Sequence, residues 1–281
     1  MESIVVGVDD SPASQAALEW VSARCARRPA RVEVVNVVGR LPRSDRNAAS
    51  LLEDAELRIR ELAPDVPIET RIVRGSTAEE LAEVARAADL LVIGIDPDRP
   101  VAAALGGWLP VRVAARSTVP VCIVPTGWSA EEADAGIAVG LADDDSSVSA
   151  LELAAAEAGD LGAPLHVVHA WREAEFTTDG PGALLSDDRP DILDHRTHLN
   201  EIVSALRARH PDVRIESDLV RATPAEALVR GAKGSAEIVI GTHHQGVFVG
   251  GFSGSIAQEV LWQTRSPVRI VPPHREDADA S

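Results

Sequence analysis

Ile4-Val5-Val6-Gly7-Val8-Asp9-Asp10-Ser11-Pro12 is the stretch that decides the fold. Residues 3–9 form an apolar run that reads as a buried strand. Ser11-Pro12 then starts a helix, with Ser11 as the N-cap and Pro12 at the first helical position. Leu18, Val21 and Cys25 follow at helical spacing. The same alternation continues outward. Strands are expected at 32–38, 68–73, 90–95 and 119–124, and a short helix at 111–116. Helix faces are expected from Leu52, Ala55, Ile59 and Leu62, and from Ala78, Leu81, Val84, Ala85 and Ala88.

The opening stretch also recurs. Ile137-Ala138-Val139-Gly140-Leu141 repeats Ile4 to Val8, and Ala150-Leu151 repeats Ala17-Leu18, both at an offset of 133. Ile238-Val239-Ile240-Gly241 repeats Leu91 to Gly94, and Val268 to Pro272 repeats Val121 to Pro125, at an offset of 147. The second copy therefore carries 14 extra residues between its second and third strands. Glu175 to Asp194, rich in Gly, Pro, Asp and Ser, reads as a surface loop that absorbs them. Strands of the second copy are expected at 137–141, 165–170, 213–220, 237–241 and 268–271.

This is a tandem duplication of an α/β domain, with residues 1–127, a linker at 128–135, a second domain at 136–274 and a disordered tail at 275–281. Each copy is expected to be a Rossmann-like, open, five-stranded parallel sheet with helices on both faces. Ligands of such sheets bind beyond the carboxyl ends of the strands, where strand order reverses. The loops after the first and fourth strands are the places to look.

Composition narrows the partners. The chain of 281 residues has a net charge of −17. An acidic chain repels phosphate backbones and anionic lipid, which argues against nucleic acid and membrane surfaces. No apolar run reaches the ~20 residues of a membrane span, and the first residues do not read as a signal peptide, so a cytoplasmic location is expected. Cys25 and Cys122, the two cysteines, read as small buried apolar residues.

After the fourth strand the second copy runs Gly241-Thr242-His243-His244-Gln245-Gly246-Val247-Phe248-Val249-Gly250-Gly251-Phe252-Ser253-Gly254-Ser255-Ile256. Its glycines let backbone approach a ligand closely. Gly254-Ser255 opens a helix whose free N–H groups and dipole favour a phosphate. A flexible connector is the plain alternative. In the loop after the first strand, Asp143, Asp144 and Asp145 repel a triphosphate unless Mg²⁺ bridges them. The competing reading is that Asp145 or Ser146 caps the next helix. His195 and His198, three apart on a possible helix, read as a solvated surface pair with no third ligand evident. Gly231-Ala232-Lys233-Gly234-Ser235 lacks P-loop spacing and reads as a helix C-cap. Trp20 and Trp171 read as packing residues.

These features together resemble a tandem universal stress protein, with two UspA-type domains covering nearly the whole chain. The family's nucleotide motif is Gly, two residues, Gly, nine residues, Gly, then Ser or Thr. It falls on Gly241, His244, Gly254 and Ser255 in copy two, where only the middle position departs. In copy one it falls on Gly94, Pro97, Gly107 and Trp108, where two of four features are lost. Val6-Gly7-Val8-Asp9-Asp10-Ser11 is similar to the family's opening strand–turn, whose nucleotide-side Asp becomes Ala142 in copy two.

The resemblance implies an adenine nucleotide, ATP with Mg²⁺ as an option, held mainly by copy two. Its candidate contacts there are Gly241, Thr242, His244, Gly246, Gly254, Ser255, Ile256, Ala142, Asp143 and, lining the adenine, Ala170. In copy one they are Asp9, Asp10, Ser11, Val37, Gly94 and Gly107. It also implies pairing through the fifth strands, giving an intramolecular pseudo-dimer and allowing a homodimer. The expected role is a stress or energy-state signalling module with an unknown protein partner. The alternative is a nucleotide-free scaffold acting through protein–protein contacts. No Ser–His–Asp arrangement, metal-ligand set or Walker lysine supports an enzyme.

Overall fold

A computed structural model of the chain describes residues 1–39, 45–98, 109–129, 136–171, 190–242 and 256–273. The first copy contains β1 (Glu2–Gly7), α1 (Pro12–Arg27), β2 (Ala30–Val38), α2 (Asp45–Leu62), β3 (Ile68–Arg74), α3 (Thr77–Val84), β4 (Leu90–Ile95), α4 (Leu109–Ala114) and β5 (Val121–Pro125). The second contains β6 (Ile137–Leu141), α5 (Val148–Leu161), β7 (Leu165–Trp171), α6 (Pro190–Arg209), β8 (Ile215–Arg221), α7 (Pro224–Gly231), β9 (Glu237–Gly241), α8 (Ile256–Gln263) and β10 (Val268–Val271). All ten expected strands form.

Several boundaries move for identifiable reasons. Pro190 sets the first turn of α6, so the end of the expected insertion loop, residues 190–194, is helical. Its earlier part lies outside the described residues, as do 130–135 of the linker and the expected disordered tail at 275–281. Leu62 closes α2 with its side chain exposed, not on the core face. The short fourth helix begins two residues earlier than expected, and Arg116 N–H bonds the Val113 carbonyl in the turn after it. Cys122 is buried in β5, whereas Cys25 is only half-buried.

The two five-stranded halves do not stand as separate sheets. They form one ten-stranded sheet in the order β3-β2-β1-β4-β5-β10-β9-β6-β7-β8. Every pairing within a half is parallel. The join is the antiparallel pair β5–β10, with Val268 opposite Ile123 and Ile270 opposite Val121. This is the intramolecular pseudo-dimer through the fifth strands. Both joining strands are fully buried. The outer edges β3 (IETRIVR) and β8 (IESDLVR) are largely exposed and charged, which discourages further strand addition.

Helices cover both faces. On one face α3, α4, α7 and α8 share a continuous core across the join, including Val5, Leu81, Ile93, Val113, Leu228, Val260 and Ile270. On the other, each copy has its own core, under α1 and α2 and under α5 and α6.

Between α1 and α5 lies a buried ionic cluster. Glu157 accepts hydrogen bonds from Arg24 (2.6 Å), Arg28 (2.9 Å) and Arg269 (3.2 Å). Arg24 also pairs with Glu2, and Arg269 with Glu237. Both guanidiniums lie near the Trp20 ring, 5.3 and 5.9 Å from its centre, so this packing residue also meets cations. Arg24 and Glu157 are 133 residues apart, the offset of the repeat. The same position of the duplicated domain is thus cationic in one copy and anionic in the other.

Candidate functional site

Strand order reverses between β1 and β4 in the first half and between β9 and β6 in the second. The crevices expected in a doubly wound sheet therefore open at the carboxyl ends of these pairs. Asp9, Asp10, Ser11 and Gly94 stand at the first. Ala142, Asp143, Gly241 and Thr242 stand at the second, with Ile256 opening α8. Val37 and Ala170 occupy matching places near the ends of β2 and β7, half-buried against the core shared by α3, α4, α7 and α8. Gly107, His244, Gly246, Gly254 and Ser255 lie outside the described residues.

The strand-end glycines have a packing reason in both copies. A Cβ on Gly94 would lie 1.9 Å from the Ala13 carbonyl oxygen, and one on Gly241 would lie 2.1 Å from that of Ser146. Each glycine lets the start of the first helix of its own copy press against the strand end. The motif's first position is thus legible as backbone contact within the protein, before any ligand is invoked.

In the first crevice Asp9, Asp96 and Asp98 are already engaged. Asp9 Oδ1 accepts from Ser11 N–H, Ser11 Oγ and Ser14 Oγ, and so closes the turn into α1. Ser11 caps α1 as expected, accepting from Ser14 N–H. Beyond β4, Asp96 Oδ1 accepts from Asp98 N–H, and Pro97 sits inside that turn. Asp98 pairs with Arg265 of the second copy, which lowers its carboxyl pKa.

The second crevice is built differently. Ala142 N–H bonds Ser147 Oγ at 3.3 Å, the counterpart of Asp9 N–H on Ser14 Oγ at 2.8 Å. Asp144 Oδ1 accepts from Ser146 N–H at 2.9 Å in the turn into α5, and the helix itself starts with Ser147, not Asp145 or Ser146, as N-cap, which makes no side-chain cap bond. A 3-10 segment at Asp145–Ser147 leads into the helix.

Asp143 is drawn to a pair of histidines. His169, buried near the end of β7, has Nε2 2.9 Å from His195 Nδ1 and 3.3 Å from Asp143 Oδ1, and His195 Nδ1 is 3.1 Å from the same oxygen. His169 Nδ1 lies 2.9 Å from the Leu141 carbonyl. A carbonyl only accepts, so Nδ1 carries the hydrogen and Nε2 presents a lone pair. Burial lowers the pKa of this ring, which favours its neutral form. His198 contacts the Ala142 carbonyl at 3.3 Å.

The expectation of a solvated histidine pair without a third ligand is thus corrected. His195 meets a third and a fourth polar group because α6 lays its first turns over the end of β7. Sequence spacing alone did not reveal this, since His169 stood within a strand and Asp143 in a loop. Other readings agree with the structure. Gly231 to Ser235 forms the turn that ends α7, with Gly234 at a positive φ of 85°. Trp171 is buried, 5.7 Å from the Arg221 guanidinium. No described helix is long and apolar enough to cross a membrane.

Comparison with known proteins agrees with this architecture. Residues 1–125 and 136–272 match the model of the universal stress protein family. A universal stress protein of Mycolicibacterium smegmatis is 24% identical, over 96% of this chain and 97% of that one. One of Mycobacterium tuberculosis is 27% identical, over 95% and 94%. The crystal structure of a universal stress protein from Archaeoglobus fulgidus superposes with a TM-score of 0.73 at 17% identity, covering 98% of this chain and 97% of that one.

Proposed function

We propose a function from one established premise: the chain belongs to the universal stress protein family. Its carboxyl-terminal copy binds an adenine nucleotide, ATP in the first instance, and the bound state serves as a stress or energy-state signal. The observation that carries this reading is the unequal pair of crevices. In the first, Asp9 is spent on its own turn, and the chain beyond β4 is taken up by the Asp96 turn and the Asp98–Arg265 pair. In the second, the crevice between β6 and β9 lacks the family's nucleotide-side Asp, with Ala142 in its place, so the phosphate-side loop carries the reading. Its loop keeps three of the four motif features, Gly241, Gly254 and Ser255.

Electrostatics supports the same division. A triphosphate needs N–H donors and counter-charge, and Pro97 supplies no N–H. In copy two, Asp143 is held against His169 and His195, which draws one carboxylate of the acidic loop away from a bound phosphate. Bound nucleotide would change the surface offered to a partner protein. Hydrolysis is not part of this proposal.

Calorimetry of the full chain with ATP–Mg²⁺ is the test. Saturable binding at one site per chain is expected, lost in Gly254→Val and kept in Gly107→Val. Equal loss in both variants defeats the assignment to copy two. Absence of heat up to millimolar nucleotide defeats nucleotide binding and leaves the scaffold reading.

A further inference from the structure

We propose that Asp143, His169 and His195 form a binding site for a divalent metal ion of the zinc type. Three ligand atoms, His169 Nε2, His195 Nδ1 and Asp143 Oδ1, stand at the corners of a triangle with edges of 2.9, 3.1 and 3.3 Å. A tetrahedral ion with bonds of about 2.0 Å to nitrogen and oxygen sets its ligand atoms about 3.3 Å apart. The triangle is therefore close to one face of such a coordination shell, with the fourth position left for water or an anion. Two imidazoles and one carboxylate are a donor set suited to zinc and its first-row neighbours.

Hydrogen bonding alone accounts poorly for this arrangement. His169 gives its single hydrogen to the Leu141 carbonyl, and a carboxylate has none to give. His195 Nδ1 can supply one hydrogen at most to its two edges of the triangle. The 3.3 Å edge between His169 Nε2 and Asp143 Oδ1 brings the lone pair of this tautomer against a carboxylate oxygen. A cation shared by all three atoms removes that conflict. The Leu141 carbonyl fixes the tautomer of His169 from behind, as outer partners of metal-binding histidines do.

The duplication supplies an internal control. Asn36 of copy one occupies the place of His169, and its side-chain N–H₂ donates to the Val8 carbonyl at 2.7 Å. The tether between adjacent strand ends therefore needs only an amide. Histidine at 169 keeps that bond and adds a second nitrogen aimed at Asp143 and His195. The place of His195 in copy one is the buried Ala48. The full set exists in copy two alone. It also lies on the α5–α6 face of the sheet, whereas Ala170, the next residue on β7, packs toward α7 and α8. The two histidines thus lie on the opposite face from the proposed adenine contact, Asp143 is the one residue common to the ion site and the candidate nucleotide contacts, and zinc binding does not require nucleotide.

The test uses the full chain, stripped with a chelator and titrated with Zn²⁺ alone, by calorimetry and by competition with a chromogenic chelator. One zinc ion per chain is expected. Co²⁺ in its place is expected to give the visible absorption of a four-coordinate site. His195→Ala should weaken zinc binding by at least about 100-fold, because even losing an outer-shell partner costs 10–100-fold. His169→Asn should do the same while preserving the strand tether seen at Asn36, and matching far-UV spectra of the variants keep misfolding separate from ligand loss. Equal zinc affinity in wild type and His195→Ala overturns the proposal. So does loss in His195→Ala without loss in His169→Asn, and so does the absence of saturable binding at about 0.1 mM Zn²⁺.

Discussion

Replacing Glu157 by glutamine should destabilise the whole protein, because one carboxylate holds three guanidiniums together at the junction of the two copies. Glu157 is 5% exposed and accepts from Arg24, Arg28 and Arg269. Burial works to raise its pKa, but the hydrogen bond from Arg24 and the charges of Arg269, Arg24 and Arg28 outweigh it and hold the group well below the usual carboxylate range. Glutamine keeps the volume and removes the charge. Arg24 keeps Glu2 and Arg269 keeps Glu237, so the loss falls toward the lower end of the ~3–5 kcal/mol typical of a broken buried pair. With a urea slope of about 3 kcal/mol per molar, the midpoint should fall by about 1 M. Tryptophan fluorescence, reporting partly from Trp20 beside the cluster, and far-UV circular dichroism should move together. A depressed folded-state pKa gives stability that is present above the unfolded value of about 4.3 and lost as pH falls through the folded one. Wild type should therefore lose stability more steeply than Glu157→Gln below about pH 4. A midpoint shift under about 0.3 M, or identical acid limbs, would refute the reasoning, since it would place the pair in the class of weak surface bridges.

Gly241→Ala should cost about 1–3 kcal/mol or more in thermal or urea unfolding, because the new Cβ meets the Ser146 carbonyl at 2.1 Å; the same change at Gly127, at whose Cβ position nothing lies within 4 Å, tests backbone strain without a clash. Unchanged stability in Gly241→Ala would show that α5 shifts freely. Cys25 should react slowly with iodoacetamide at pH 8, since burial and the Glu2 charge push its thiol up to about 11 despite Arg24 nearby, and Cys122, fully buried, should react only on unfolding. Rapid labelling of both thiols in the native protein would contradict that burial.

Much of this architecture was legible because parallel strands buried on both faces leave long apolar runs. Ile4 to Val8 and Ile137 to Leu141 announce themselves, and the repeat offsets place every later strand. The Ser11-Pro12 start of α1 was equally plain. The chemistry was less so. Asp143, His169 and His195 come from a loop, a strand and a helix, and no sequence spacing connects them. His169 followed the alternation of β7 like any core residue. The one available signal was the comparison with Asn36, a polar side chain on the same inward face of the other copy. The ionic cluster was hidden for a similar reason: Arg24 and Arg28 sit at helical spacing that reads as a solvated face until α5 is laid across it.

The opposite signs at residues 24 and 157 have a consequence for ancestry and engineering. Cut after Thr126, the amino-terminal fragment would bare β5, and a second fragment docking there would bring Arg24 against Arg24. The carboxyl-terminal fragment would likewise oppose Glu157 to itself. Gene duplication followed by divergence has made the siblings mutually dependent, so severed pieces should reunite as an unlike couple in preference to twinning.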